Sequence, residues 1–147
     1  MSHGSARVAG GRLRALRHAV QVFGFHLAPL DLRQHSGVHE QVVAELFRLG
    51  ARRDGYTTLQ ESERRHWLLE ELLLPRLLRS PHVSYSPETE KELHLFAAAA
   101  ELQRRYGCDA LPTYIISASA DASDILEAAL LLKEAASCVR DRNPSSV

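Results

Sequence analysis

Cysteine is scarce in this 147-residue chain: Cys108 and Cys138 are the only two, thirty positions apart and outside any CxxC pattern. That leaves no thiol-pair signature of a zinc or redox site, and no histidine pattern near either cysteine marks a nucleophile, so both are read as reduced thiols. An excess of one charge is also missing. Lys plus Arg and Asp plus Glu each total 18, giving a formal net charge of zero, which argues against a general pull toward nucleic acid or an acidic membrane surface. The eight histidines add positive charge only at mildly acid pH. Long apolar runs are absent too. Runs such as Ala128 to Leu132 are far too short to span a bilayer, and Met1-Ser2-His3-Gly4-Ser5 leads into an arginine-rich stretch without the apolar centre of a secretory signal. The expectation is a soluble cytoplasmic chain of one domain with a modest core.

What is present is an alternation of helical and extended patterns. Residues 6–23 read as a helix with Leu13, Leu16, Val20 and Phe23 on one side. Residues 25–32 follow as a strand, although Pro29 removes a ladder donor within it. A helix over 36–49 is capped by Ser36 and closed by Gly50. Residues 58–73 form another helix. Ser86-Pro87-Glu88 combines a hydroxyl cap, a proline at the first helical position and an acid in the first turn, starting a helix that stops at Gly107. Thr113 to Ser117 is rich in β-branched and aromatic residues and reads as a second strand. Asp121 to Asp124 supplies caps for a last helix through Ala136, and residues 137–147 read as a divergent, frayed tail.

The fold class is therefore α/β and mostly helical, with two strands, 25–32 and 113–117, and about five helices. Strands joined by so long a helical crossover are parallel if they share a sheet. Two parallel strands make a poor sheet, and the last helix is apolar almost all round apart from Glu127, Lys133 and Glu134. Both features belong to a slice of a larger α/β protein.

Asp31, Arg33 and Gln34 end the first strand, and Ser117 and Ser119 end the second. Sites in parallel α/β folds form outside the carboxyl ends of strands. The rigid, permanently charged donor fork of an arginine there suits a phosphate or carboxylate; the other reading is a salt bridge from Arg33 to Asp31 or to a neighbouring carboxylate. His35, His39 and Glu40 do not complete a metal site, because the glutamate does not lie between the histidines as in HExxH, and they are read as a solvated helix start. Arg12, Arg14, Arg17 and His18 lack interleaved aromatics and are read as a solvated face rather than a nucleic-acid patch. Arg52-Arg53 and Arg64-Arg65-His66, with acids close by, are read likewise, and Trp67 as core packing.

The run from Val22 through Leu30-Asp31-Leu32-Arg33-Gln34-His35-Ser36 to His39-Glu40 resembles phosphoenolpyruvate carboxylase. So do Tyr114-Ile115-Ile116-Ser117, Ser123-Asp124-Ile125-Leu126-Glu127 and Leu130 to Ala135, with Trp67 to Leu72 and Arg79-Ser80-Pro81 between them. The resemblance covers about residues 7–136 and makes 1–136 a partial segment of that family's β/α barrel. It implies a cytoplasmic homotetrameric lyase that joins phosphoenolpyruvate to bicarbonate, with magnesium or manganese, giving oxaloacetate and phosphate. It places Arg33 at the arginine of the family's Leu-Asp-x-Arg-Gln motif, which holds the substrate phosphate. It transfers no catalytic residue: His35 stands where many members carry glutamate. The family's catalytic histidine would precede these residues, and its two metal-binding carboxylates fall where Ser137-Cys138-Val139-Arg140 stands, so no metal ligand is expected here either. The expectation is one phosphate ligand of a composite site, inactive alone. The alternative is a non-catalytic truncated product acting as a helical interaction or structural module.

Overall fold

The computed structural model describes residues 11–24 and 30–141, with side chains as far as Ala135. Its two strands, β1 (Asp31–His35) and β2 (Thr113–Ser117), pair in parallel, with Asp31 opposite Thr113, Arg33 opposite Ile115 and His35 opposite Ser117. β2 has the bounds its composition predicts. β1 does not: it starts at Asp31, whereas the sequence pattern placed a strand over 25–32. Residues 25–29 lie outside the described region, and Leu30 precedes the strand, its N–H donating to the Ala110 carbonyl at 3.0 Å. The physical reason lies in the alternation of Asp-Leu-Arg-Gln-His. Leu32 and Gln34 are half-buried and Asp31, Arg33 and His35 exposed, the period of two expected for a strand covered on one face.

Five helices accompany this ribbon among the described residues. The first, α1 (Arg12–Phe23), has no buried residue, and its stripe of Leu13, Leu16, Val20 and Phe23 is exposed. The second, α2 (Ser36–Leu46), is capped by His35 rather than Ser36: the His35 Nδ1 accepts from the Gly37 N–H at 3.1 Å. Ser36 instead donates its hydroxyl to the Ala118 carbonyl at 2.9 Å, tying the ends of the two strands together. α2 widens into a π turn over Phe47–Ala51, short of the expected helix end at Leu49. Gly50 lies inside this turn rather than closing a helix, because a Cβ there would stand 2.1 Å from the Leu78 carbonyl oxygen.

Helix α3 (Glu61–Leu73) follows a short 3-10 turn at Tyr56–Thr58, so it begins three residues later than its pattern suggests. α4 (Pro87–Tyr106) starts as read from Ser86-Pro87, with the Ser86 hydroxyl accepting from the Thr89 N–H at 3.2 Å, and ends at Gly107, whose φ of 89° suits glycine. α5 (Ala122–Asp141) runs beyond Ala136. It packs against α2, α3 and α4 and supplies Leu130 and Leu131 to a core shared with Val43, Leu46, Phe47 and Phe96. Tyr56 stacks on Phe47 with centroids 5.2 Å apart, and Trp67 meets Phe47 edge-on at 5.5 Å, joining the core edge as expected.

Two carboxylates of α5, Glu127 and Glu134, are turned inward. Glu134 accepts from the Leu78 and Arg79 N–H groups, both at 3.0 Å, and so fastens the 74–85 loop to the helix. Glu127 accepts from the Tyr56 hydroxyl. Arg64 is likewise no solvated residue: it pairs with Glu40 at 2.6 Å and donates to the Thr57 carbonyl at 2.7 Å. Arg53 forks onto Glu70 at 2.8 and 3.3 Å, with its guanidinium 5.3 Å from the Trp67 ring centre. Such clamps need partners distant in sequence, which local charge spacing does not reveal. Among the described residues no helix is long and apolar enough to cross a membrane.

Candidate functional site

Strand alternation decides what the sheet offers. Leu32 and Tyr114 turn toward the helical core, so Asp31, Arg33, His35, Thr113, Ile115 and Ser117 line the opposite face and are exposed. Parallel sheets are ordinarily covered on both faces; here Arg33 stands at the middle of one that no described residue covers. Its Nη2 donates to Asp31 Oδ2 at 3.1 Å, and the two side chains remain 70% and 41% exposed. The salt bridge to Asp31, one of the two sequence readings, is present, and it engages one end of the guanidinium fork.

The carboxyl ends of both strands are tied to each other and to the layer behind. The Ser117 hydroxyl donates to the Gln34 carbonyl at 3.3 Å. Gln34 points behind the sheet, where its Nε2 donates to Glu92 Oε1 on α4 at 2.6 Å while its own Oε1 accepts from the His35 N–H at 2.9 Å. Ala118 takes a left-handed φ of 56° just past β2, and Asp124 Oδ2 accepts from the Ala120 and Asp121 N–H groups at 2.7 and 3.1 Å, closing the loop before α5. Ser119 is exposed on that loop.

Sequence spacing alone misses the polar layer beneath this face. His39 is fully buried, not part of a solvated helix start, and its Nε2 is hydrogen-bonded to the Tyr114 hydroxyl. Burial pushes His39 down to about 4, against a raising influence from Asp124 and with a small lowering one from His35, so the imidazole is neutral at pH 7. Burial first, and the nearby Glu92 second, push the Tyr114 phenol up. Glu92 is 2% exposed, and burial raises its carboxyl against the opposing hydrogen bond from Gln34 and the charge of Lys91. One sequence signal does mark Glu92. It shares the buried stripe Thr89, Glu92, Leu93, Phe96, the i, i+3, i+4, i+7 spacing of a core-facing helix side.

The magnesium or manganese that the resemblance implies finds no fit among the described residues. No group of three or more His, Cys, Asp or Glu side chains is placed to hold an ion. His39 is bonded to Tyr114, and Glu40 is paired with Arg64. A cleft of about 580 Å³ lies elsewhere, between α2, the 54–57 turn and the start of α4. None of Asp31, Arg33 or His35 lines it, and within it the Glu45 carboxylate already accepts from the Ser86 N–H and hydroxyl.

Comparison with known proteins agrees with the strand motifs. The family model for phosphoenolpyruvate carboxylase matches residues 1–146, further at both ends than the 7–136 over which the motifs run. The phosphoenolpyruvate carboxylase of Aromatoleum aromaticum is 58% identical over 135 residues, 92% of this chain and 15% of that protein. Those of Nitrosomonas europaea and an Azoarcus species are 54% and 53% identical, over 90% and 92% of this chain and 14% and 15% of theirs. The chain thus spans about one-seventh of the length of the curated relatives it matches. With the Leu-Asp-Leu-Arg-Gln strand, the Tyr-Ile-Ile-Ser strand and this match in agreement, the chain belongs to the phosphoenolpyruvate carboxylase family.

Proposed function

We propose that this chain supplies the phosphate-binding strand of a composite phosphoenolpyruvate carboxylase site, in which phosphoenolpyruvate and bicarbonate become oxaloacetate and phosphate, with Arg33 holding the substrate phosphate. The observation that carries the reading is the placement of Arg33 at the centre of a sheet face left exposed among the described residues, its fork engaged at one end by Asp31. A fixed guanidinium there binds the phosphate in two-point fashion and offsets negative charge on the phosphoryl oxygens during transfer. The general base, the metal and the remaining phosphate ligands come from other segments of the enzyme, since one arginine supplies neither a base nor metal chemistry. Turnover by these 147 residues alone is therefore not expected. The homotetramer and the cytoplasmic setting belong to the same reading.

The test is a hybrid enzyme, in which this chain replaces the matching 135 residues of the Aromatoleum aromaticum relative. The hybrid forms oxaloacetate in a bicarbonate-dependent reaction, and Arg33→Ala lowers kcat/KM for phosphoenolpyruvate by about 10²- to 10³-fold. Full turnover by the Arg33→Ala hybrid, or carboxylation by the isolated chain, refutes the proposal. The second reading, a non-catalytic helical module, draws on α1, whose apolar stripe is exposed. An inactive hybrid favours it.

A further inference from the structure

The buried carboxylate of Glu92 has no place in the chemistry assigned to Arg33, yet it is bonded to the residue beside it. β1 is five residues long and has β2 as its one strand neighbour among the described residues. The Ser36 and Ser117 hydroxyls tie the ends of this ribbon's two strands to each other, and a slip of one residue in β1 would turn Arg33 toward the helices. Gln34 opposes that movement through its amide nitrogen, which reaches Glu92 Oε1 at 2.6 Å, while its amide oxygen receives the neighbouring His35 N–H at 2.9 Å and so fixes the direction of the side chain. The peptide segment that follows Arg33 is thereby fastened to α4.

We infer that Glu92 is a positioning residue: through Gln34 it sets the orientation of β1 and holds the Arg33 guanidinium where a substrate phosphate meets it. This inference rests on the phosphate-binding reading of Arg33. A stability role explains the pair poorly. Burying a carboxyl and an amide carries a desolvation cost, and an apolar pair of similar volume would fill the space without it. What the polar pair adds is direction, because a hydrogen bond specifies where the strand must sit and an apolar contact does not. Glu92 Oε2 has no hydrogen-bond partner among the described residues, and burial favours the neutral acid. A glutamine at this position keeps the one acceptor that Gln34 uses.

The experiment uses the same hybrid enzyme, with phosphoenolpyruvate and bicarbonate varied separately. Glu92→Leu raises KM for phosphoenolpyruvate by about tenfold, as expected when a binding group is displaced by a fraction of an ångström, and leaves KM for bicarbonate unchanged. Glu92→Gln restores the parent value. Gln34→Ala reproduces the Glu92→Leu effect, and the double variant is no worse than either single one, because both changes break the same link. Should Glu92→Leu fail to fold, Gln34→Ala, at a half-buried position, carries the same test. A fall in kcat alone, with both KM values unmoved, means lost folded enzyme and overturns the inference. An impaired Arg33→Ala hybrid beside an unaltered Gln34→Ala hybrid overturns it while leaving the Arg33 reading intact. A hybrid without turnover, or one insensitive to Arg33→Ala, removes the Arg33 reading and this inference with it.

Discussion

The Tyr56 hydroxyl donates to Oε1 of Glu127 at 2.8 Å, joining the 3-10 turn before α3 to the second turn of α5 at a point where both side chains are buried. Glu127 Oε2 has no hydrogen-bond partner among the described residues. The pair is a polar link placed inside an apolar core, and its cost depends on whether the carboxyl is charged.

Burial, opposed by the Tyr56 hydrogen bond and assisted by Asp124 and Glu40, pushes Glu127 up to about 7 from an ordinary 4.5. The folded chain holds this proton over the interval in which the unfolded chain releases it. Stability from this group is therefore fully present below about 4.5 and is lost as pH rises through about 7. Glu127→Gln keeps an acceptor for Tyr56 and removes the titration. We expect it to stabilise the chain at pH 8 by about 1–3 kcal/mol relative to its effect at pH 5, read as the difference between urea midpoints at the two pH values. Parallel pH profiles for the parent and the variant would contradict this.

His39 carries the opposite sign. Its folded value, lowered mainly by burial, is about 4 against an ordinary 6.5. The stability linked to the neutral ring is present above 6.5 and is lost as pH falls toward 4. Its imidazole carbon-bound proton should titrate in the NMR spectrum with a midpoint near 4. A midpoint near 6.5 would place the ring in solvent and break its link to Tyr114.

Gly50 is required by contact, not by backbone conformation. Alanine there brings a Cβ to within 2.1 Å of the Leu78 carbonyl oxygen, and backbone is the partner that would have to move. Gly50→Ala should destabilise the chain by about 3 kcal/mol, measured by denaturant unfolding. A loss under about 1 kcal/mol would show that the 74–85 loop yields easily, despite its fastening to Glu134.

Arg33→Ala should leave folding stability within about 0.5 kcal/mol of the parent, because exposed ion pairs contribute little. Its partner is Asp31, and both side chains are exposed. An unchanged Tm beside lost affinity for phosphoenolpyruvate in the hybrid enzyme separates a binding role from a structural one.

Several elements are written into short stretches of the chain. Ser86-Pro87 starts α4 and Gly107 ends it, since a cap, a fixed φ and a left-handed residue act on their immediate neighbours. Thr113 to Ser117 is a strand by composition, and the motif around Arg33 is contiguous in the chain. The first strand is less local: the apolar pattern points to residues 25–32, whereas the ladder with β2 selects Asp31–His35.

What the amino-acid order by itself determined, then, is the family, the crossover of helices between two strands and the arginine-bearing motif of the first strand. What only the tertiary structure decided is the set of polar side chains that go inside: Glu127 against Tyr56, Glu134 on the Leu78 and Arg79 amides, His39 against Tyr114, and Glu92 on Gln34. Caps and strand propensities are local energies, set within a few residues. A buried carboxylate or imidazole is tolerated only where a partner reaches it; for these four the partner arrives from a segment tens of residues away, so their fate is settled by packing and not by their neighbours in the chain.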